Sequence, residues 1–108
     1  MTGASTQRIR ELNDLARQSL TGCRMLVTPG VKRLEATDMI LAMVRQYSAF
    51  TPDNDPYAEH DFGSFQFSGE TIFWKFDYYD LDLTMHSPDA TDPEVTARVL
   101  TVLLGSEY

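Results

Sequence analysis

Two short alternating runs separated by Ser68-Gly69 constrain this chain more than anything else in it. Ser64 to Ser68 places Phe65 and Phe67 between polar residues, and Glu70 to Tyr78 interleaves Ile72, Trp74, Phe76 and Tyr78 with Thr71, Phe73, Lys75 and Asp77. A period of two is the signature of a strand, and a glycine able to take positive φ closes a two-residue hairpin turn. That turn sets the register: Phe67 opposite Glu70, Phe65 opposite Ile72, and Gly63 opposite Trp74. All then lie on one face, where the bare Gly63 leaves room for the only indole in the chain.

The rest must pack against this hairpin. Ile9, Leu12, Leu15, Ala16 and Leu20 recur at helical spacing, which predicts a helix from about Thr6 to Leu20 stopped by Gly22. Cys23 to Thr28 reads as a strand closed by Pro29-Gly30. Met39, Ile40, Met43, Val44 and Tyr47 share one stripe and predict a second helix from about Glu35 to Ser48, which Pro52 forbids from continuing. Tyr79 to His86 offers a further strand. Asp92-Pro93-Glu94 has the form of a helix start, and Val95, Val99, Val102 and Leu103 supply an apolar stripe as far as Leu104. The expected fold is α+β, in the order α-β-α-β-β-(β)-α. It is a small antiparallel or mixed sheet of three to four strands with three helices packed mainly on one face. Residues 1–5 are expected to be flexible and residues 6–108 to form a single domain, as the length allows.

Charge divides the chain. Residues 1–50 carry seven Lys or Arg against four acids, whereas residues 51–108 carry two against twelve. A field of that sign repels free nucleic acid and anionic membranes and attracts cations or basic protein surfaces. One cysteine, Cys23, excludes an internal disulfide; within an apolar strand it reads as a structural thiol. The longest unbroken apolar run, Met39 to Val44, is far short of a membrane span, and the first ten residues lack the apolar core of a signal peptide. A soluble, cytoplasmic protein is expected.

The candidate chemistry sits in the loop TPDNDPYAEHDFG. Asp53, Asp55, Glu59, His60 and Asp61 form a dense set of oxygen and nitrogen donors, which suits a divalent cation and a metal-dependent enzyme or metal-binding module. Against the calcium-loop pattern, Asp53 and Asp55 match, but Ala58 stands where glycine is required and Ser64 where the closing acid belongs. The same Asp and Asn residues also suit Asx-turns around the prolines. Between Glu59 and Asp61, His60 could act as a base, a metal ligand, a pH-sensitive contact or simply a local hydrogen-bonding group. His86 is the only other histidine, and no zinc motif, phosphate loop or nucleophile elbow is present. Asp77 shares a face with Lys75 and is expected to pair with it, leaving Asp80 and Asp82 in a solvated turn.

FTPDNDPYAEHDFG (Phe50 to Gly63), FWKFDYYD (Phe73 to Asp80) and the terminal VLTVLLGSEY together resemble an uncharacterised family of small bacterial proteins, a domain of unknown function. The resemblance covers the chain from about residue 5 onward and brings no reaction, no cofactor and no catalytic residues. It implies a single-domain protein of bacterial chromosomes and mobile elements, a setting that includes inhibitors of host defence such as anti-CRISPR proteins. Joined to the charge, it favours a small acidic interaction protein, not an enzyme, that mimics nucleic acid on the basic site of a bacterial nucleic-acid-binding partner. The contact residues would be Asp53, Asp55, Tyr57, Glu59, His60, Asp61, Asp80 and Asp82. The metal reading through Asp53, Asp55, Glu59, His60 and Asp61 stands beside it. So does a homodimeric assembly protein built on exposed Tyr57, Phe62 and Tyr79.

Overall fold

The computed structural model describes residues 3–108. Helix α1 spans Ala4–Ser19, strand β1 Arg24–Val27, the short helix α2 Pro29–Lys32 and helix α3 Thr37–Gln46. Strands β2 (Phe62–Phe67), β3 (Glu70–Tyr79) and β4 (Ala97–Leu104) follow, and a 3-10 turn covers Gly105–Glu107. The fold is α+β, with a four-stranded mixed sheet in the order β1-β4-β3-β2, in which β1 runs parallel to β4 and the other pairs are antiparallel. Ala4 and Ser5, expected to be flexible, are already helical; Met1 and Thr2 lie outside the described residues. No helix of the described residues is long and apolar enough to cross a membrane.

The hairpin has the register its alternation predicts. Phe67 faces Glu70, Phe65 faces Ile72 and Gly63 faces Trp74, and both turn residues, Ser68 and Gly69, have positive φ. Ile72, Trp74 and Phe76 are buried, whereas Phe65 and Phe67, nearer the turn and on the edge strand, are only half-buried. Their layer is completed by Ala16 of α1, Val31 of α2, and Ile40 and Val44 of α3. Each large apolar side chain so buried contributes about 1.5–3 kcal/mol, which makes this one face the main source of stability.

The C-terminal segment corrects the expected helix. Residues 97–104 are a central strand, with Arg98, Leu100 and Val102 alternating inward beside Tyr78, Phe76 and Trp74 of β3. Val99, Thr101 and Val102 are β-branched and favour a pleated surface. Asp92 uses its carboxylate to accept the Glu94 amide at 2.9 Å and its carbonyl to accept the Val95 amide at 3.2 Å, capping a turn in place of a helix. Tyr79 to His86 is no full strand; it contributes one bridge between Tyr79 and His86. Pro29-Gly30 likewise does more than turn the chain, because Pro29 opens α2. Glu107 fastens this end: it accepts from the Thr28 hydroxyl at 2.6 Å, the Leu104 amide at 2.8 Å and the Gly30 amide at 3.1 Å.

Candidate interaction surface

Loop 51–61 is shaped by its own polar residues. The Thr51 amide donates to Asn54 Oδ1 at 2.8 Å, the Asn54 amide donates to Thr51 Oγ1 at 3.2 Å, and the Asp55 amide donates to the Thr51 carbonyl at 2.8 Å. Ala58 and His60 take positive φ, which folds the loop back on itself. Arg10 Nη1 donates to the Ala58 carbonyl at 3.1 Å and Asn13 Nδ2 donates to the Glu59 carbonyl at 3.0 Å, holding the loop on the helix.

Of the loop residues expected at the surface, Asp55 is buried and Glu59, His60 and Asp61 are half-buried. Asp55 is 7% exposed and accepts the His60 amide at 3.2 Å. His60 Nδ1 lies 2.8 Å from Asp14 Oδ1, its Nε2 lies 3.5 Å from Asp55 Oδ2, and its ring stacks on Phe50 with centroids 3.7 Å apart. Its partners come from α1 and from five residues back, instead of the adjacent Glu59 and Asp61. The Glu59 carboxylate accepts the Tyr78 hydroxyl at 3.0 Å. Burial, and then the charge of Glu59, push the Asp61 carboxyl above its usual range. Asp53 and Tyr57 remain exposed. Of the five residues of the metal reading, His60 and Asp55 meet, but no group of three His, Cys, Asp or Glu among the described residues is arranged to hold a metal ion.

Below the loop lies a polar cluster that periodicity does not disclose. Asn13 is fully buried; its Nδ2 also donates to the Tyr78 hydroxyl at 2.7 Å, and its Oδ1 accepts from Arg98 Nε at 2.7 Å. Burial raises the Tyr78 hydroxyl well above the usual phenol range, so it stays a neutral hydrogen-bonding group. Arg17 is buried as well, donating Nη1 to the carbonyls of Val44, Arg45 and Tyr47 at 2.9, 3.1 and 2.9 Å. It satisfies the orphan carbonyls that end α3 and covers Phe50 and Trp74 with its guanidinium. Asn13 and Arg17 stand four residues apart on the stripe of Ala16, which is the one signal that could have placed them inward. Burial raises the Cys23 thiol, keeping it protonated and unsuited to act as a nucleophile.

A different segment presents the free acids. The turn after β3 is held by Asp80, whose Oδ1 accepts the amides of Thr84 and Met85 at 3.0 and 3.4 Å, while the Asp80 amide donates to the Met85 carbonyl at 2.8 Å. These bonds hold the Asp80 carboxyl below its usual range. Leu81, Leu83 and Met85 project from the turn at 59%, 41% and 70% exposure, interleaved with Asp80 and Asp82. Lys75 and Asp77 pair at 3.1 Å, as their shared face predicts. On that face, away from the helices, a groove of about 650 Å³ is lined by Leu26, Lys75, Asp77, Tyr79, Leu83 and Val99 among others.

Residues 27–107 match a family described as protein of unknown function (DUF3768), and the chain belongs to that family. No curated protein and no solved structure matches it.

Proposed function

We propose that this member of the DUF3768 family is an acidic interaction protein. It docks the turn at residues 80–85 and the acids that follow onto a basic, partly apolar surface of a bacterial partner, where that partner otherwise holds nucleic acid. The observation that carries the reading is the turn itself. A hydrogen-bonded scaffold keeps Leu81, Leu83 and Met85 in solvent beside Asp80 and Asp82, although a chain gains nothing in its own stability by exposing them. Residues 80–94 hold five acids and no Lys or Arg. Carboxylates arranged without internal counter-ions steer a basic surface toward the protein, and the apolar side chains slow its departure. Asp53 and Tyr57 extend the same chemistry from the neighbouring loop; Asp55, Glu59, His60 and Asp61 act by shaping that loop.

The test is capture from a bacterial lysate at low and high salt, with duplex DNA as competitor, comparing the wild type with two double variants, Leu81→Ser/Met85→Ser and Asp82→Lys/Glu94→Lys. The reading expects one partner that both variants lose, that DNA displaces, and whose binding weakens as the Debye length shortens from about 10 Å at 0.1 M salt. A partner held equally by both variants, at high salt and with its DNA still bound, overturns it.

A further inference from the structure

Arg98 is a cation whose burial the rest of the fold does not explain. It is 4% exposed, with Nε donating to Asn13 Oδ1 and Nη2 donating to the Ala90 carbonyl, each at 2.7 Å, and with its guanidinium over the Tyr78 ring. Both acceptors are neutral. Among the described residues no carboxylate forms an ion pair with it, whereas the other buried arginine, Arg17, has Asp14 at 3.3 Å and the end of α3. Nη1 has no acceptor among the described residues but is not sealed from solvent; the sealed, unpartnered guanidine nitrogen is Nε of Arg17. Burying a cation is costly unless an anion or a full set of hydrogen bonds offsets it.

Arg98 also lines an open cavity of about 220 Å³ between α1 and the loop before β4, walled by Leu12, Leu15, Ala16, Thr21, Gly22 and Pro93. We propose that this cavity binds a small organic monocarboxylate, its oxygens on the Arg98 guanidinium and its short alkyl or aryl group against the leucine wall. The planar fork of an arginine matches a carboxylate, and an apolar pocket with one convergent charged group is the usual form of a small-ligand site. Asp92 and Glu94 flank Pro93, so a singly charged acid is favoured over phosphate. Burial lowers the Arg98 pKa, the direction expected of a desolvated guanidinium.

Butyrate is the probe, with butyramide as its uncharged isostere and chloride and phosphate as alternative anions, all at constant ionic strength. Amide and Arg98 Nε resonances and the melting temperature are followed. The proposal expects saturable shifts confined to residues 12–22, 93 and 98 and a rise in melting temperature with butyrate, with at least about tenfold weaker binding of butyramide and phosphate. Leu15, 65% exposed on the cavity wall, supplies the decisive variants. Leu15→Glu places a carboxylate beside the guanidinium and should abolish the butyrate response in a folded protein, while Leu15→Gln should keep it. Absence of saturable shifts with butyrate, equal binding of butyramide, or an unchanged titration in Leu15→Glu each overturns the proposal, independently of the surface function above.

Discussion

Trp74 stands directly across the hairpin from Gly63, so close that a methyl group on Gly63 would lie 2.5 Å from the indole Nε1. The indole is fully buried against Tyr47, Phe50 and Phe76 and cannot yield without disturbing all three. Gly63→Ala should therefore destabilise by at least ~1–3 kcal/mol, the usual cost of overpacking. Trp74→Ala should cost ~3–5 kcal/mol through the cavity it leaves. Urea denaturation midpoints measure both, and a Gly63→Ala protein as stable as the wild type would contradict the packing.

Arg17 closes α3 from outside that helix. In Arg17→Met the side-chain volume is largely kept, but the carbonyls of Val44, Arg45 and Tyr47 lose their shared donor, and only Val44 keeps another, the Tyr47 amide at 3.3 Å. With each buried unpaired group costing ~1–3 kcal/mol, a loss of ~2–4 kcal/mol is expected after water reaches the more exposed of them. Amide exchange should quicken first at residues 44–47, ahead of the β3–β4 core.

Two carboxyls should respond to pH with opposite signs. Asp61 is raised above its usual range by burial and by Glu59, so its contribution is fully present below the ordinary Asp value of about 3.9 and is lost as pH rises through the folded value. Asp61→Asn should stabilise at neutral pH, by less than about 1 kcal/mol for a half-buried group that solvent still screens, and the difference should vanish in acid. Glu107 is lowered by the Thr28 hydroxyl and then by the Leu104 amide; its contribution is present above the ordinary Glu value of about 4.3 and is lost as pH falls through the folded value. Glu107→Gln should weaken the protein at neutral pH and converge with it in acid. Denaturation midpoints across this range separate the two.

Internal and external acids should part company on substitution. Asp55→Lys buries a cation where His60 and its own amide need an acceptor, and should destabilise by more than ~2 kcal/mol. Asp82→Lys, in open solvent, should change stability by less than ~0.5 kcal/mol. Calorimetric melting of the two proteins is sufficient to tell.

The hairpin was legible because a period of two, one glycine and one indole admit a single register. The last strand was not. Asp92-Pro93-Glu94 signals a helix start as strongly as any sequence can, and Val95, Val99, Val102 and Leu103 fit a helical stripe. What decides for a strand is the vacancy between β3 and β1, a tertiary fact no local window contains. In the polar loop Asn54 and Asp55 do bond backbone amides, as such residues beside prolines suggest, but not all of its acids face outward. Asp14 and Asn13, roughly forty-six residues away, draw His60 and the Glu59 backbone in, and contacts at that separation leave no periodic trace. Asp80 and Asp82 stayed outside because their turn closes on itself.

Because β4 lies between β1 and β3, the sheet is assembled around the strand that comes fourth of its four in chain order. Without residues 97–104, β1 and the hairpin have no common neighbour, and the face bearing Trp74 and Phe76 has neither its β4 flank nor the Arg98 link to α1. Removing residues 97–104 would therefore open the pairing edges of β1 and β3 together, and with them the apolar face they share.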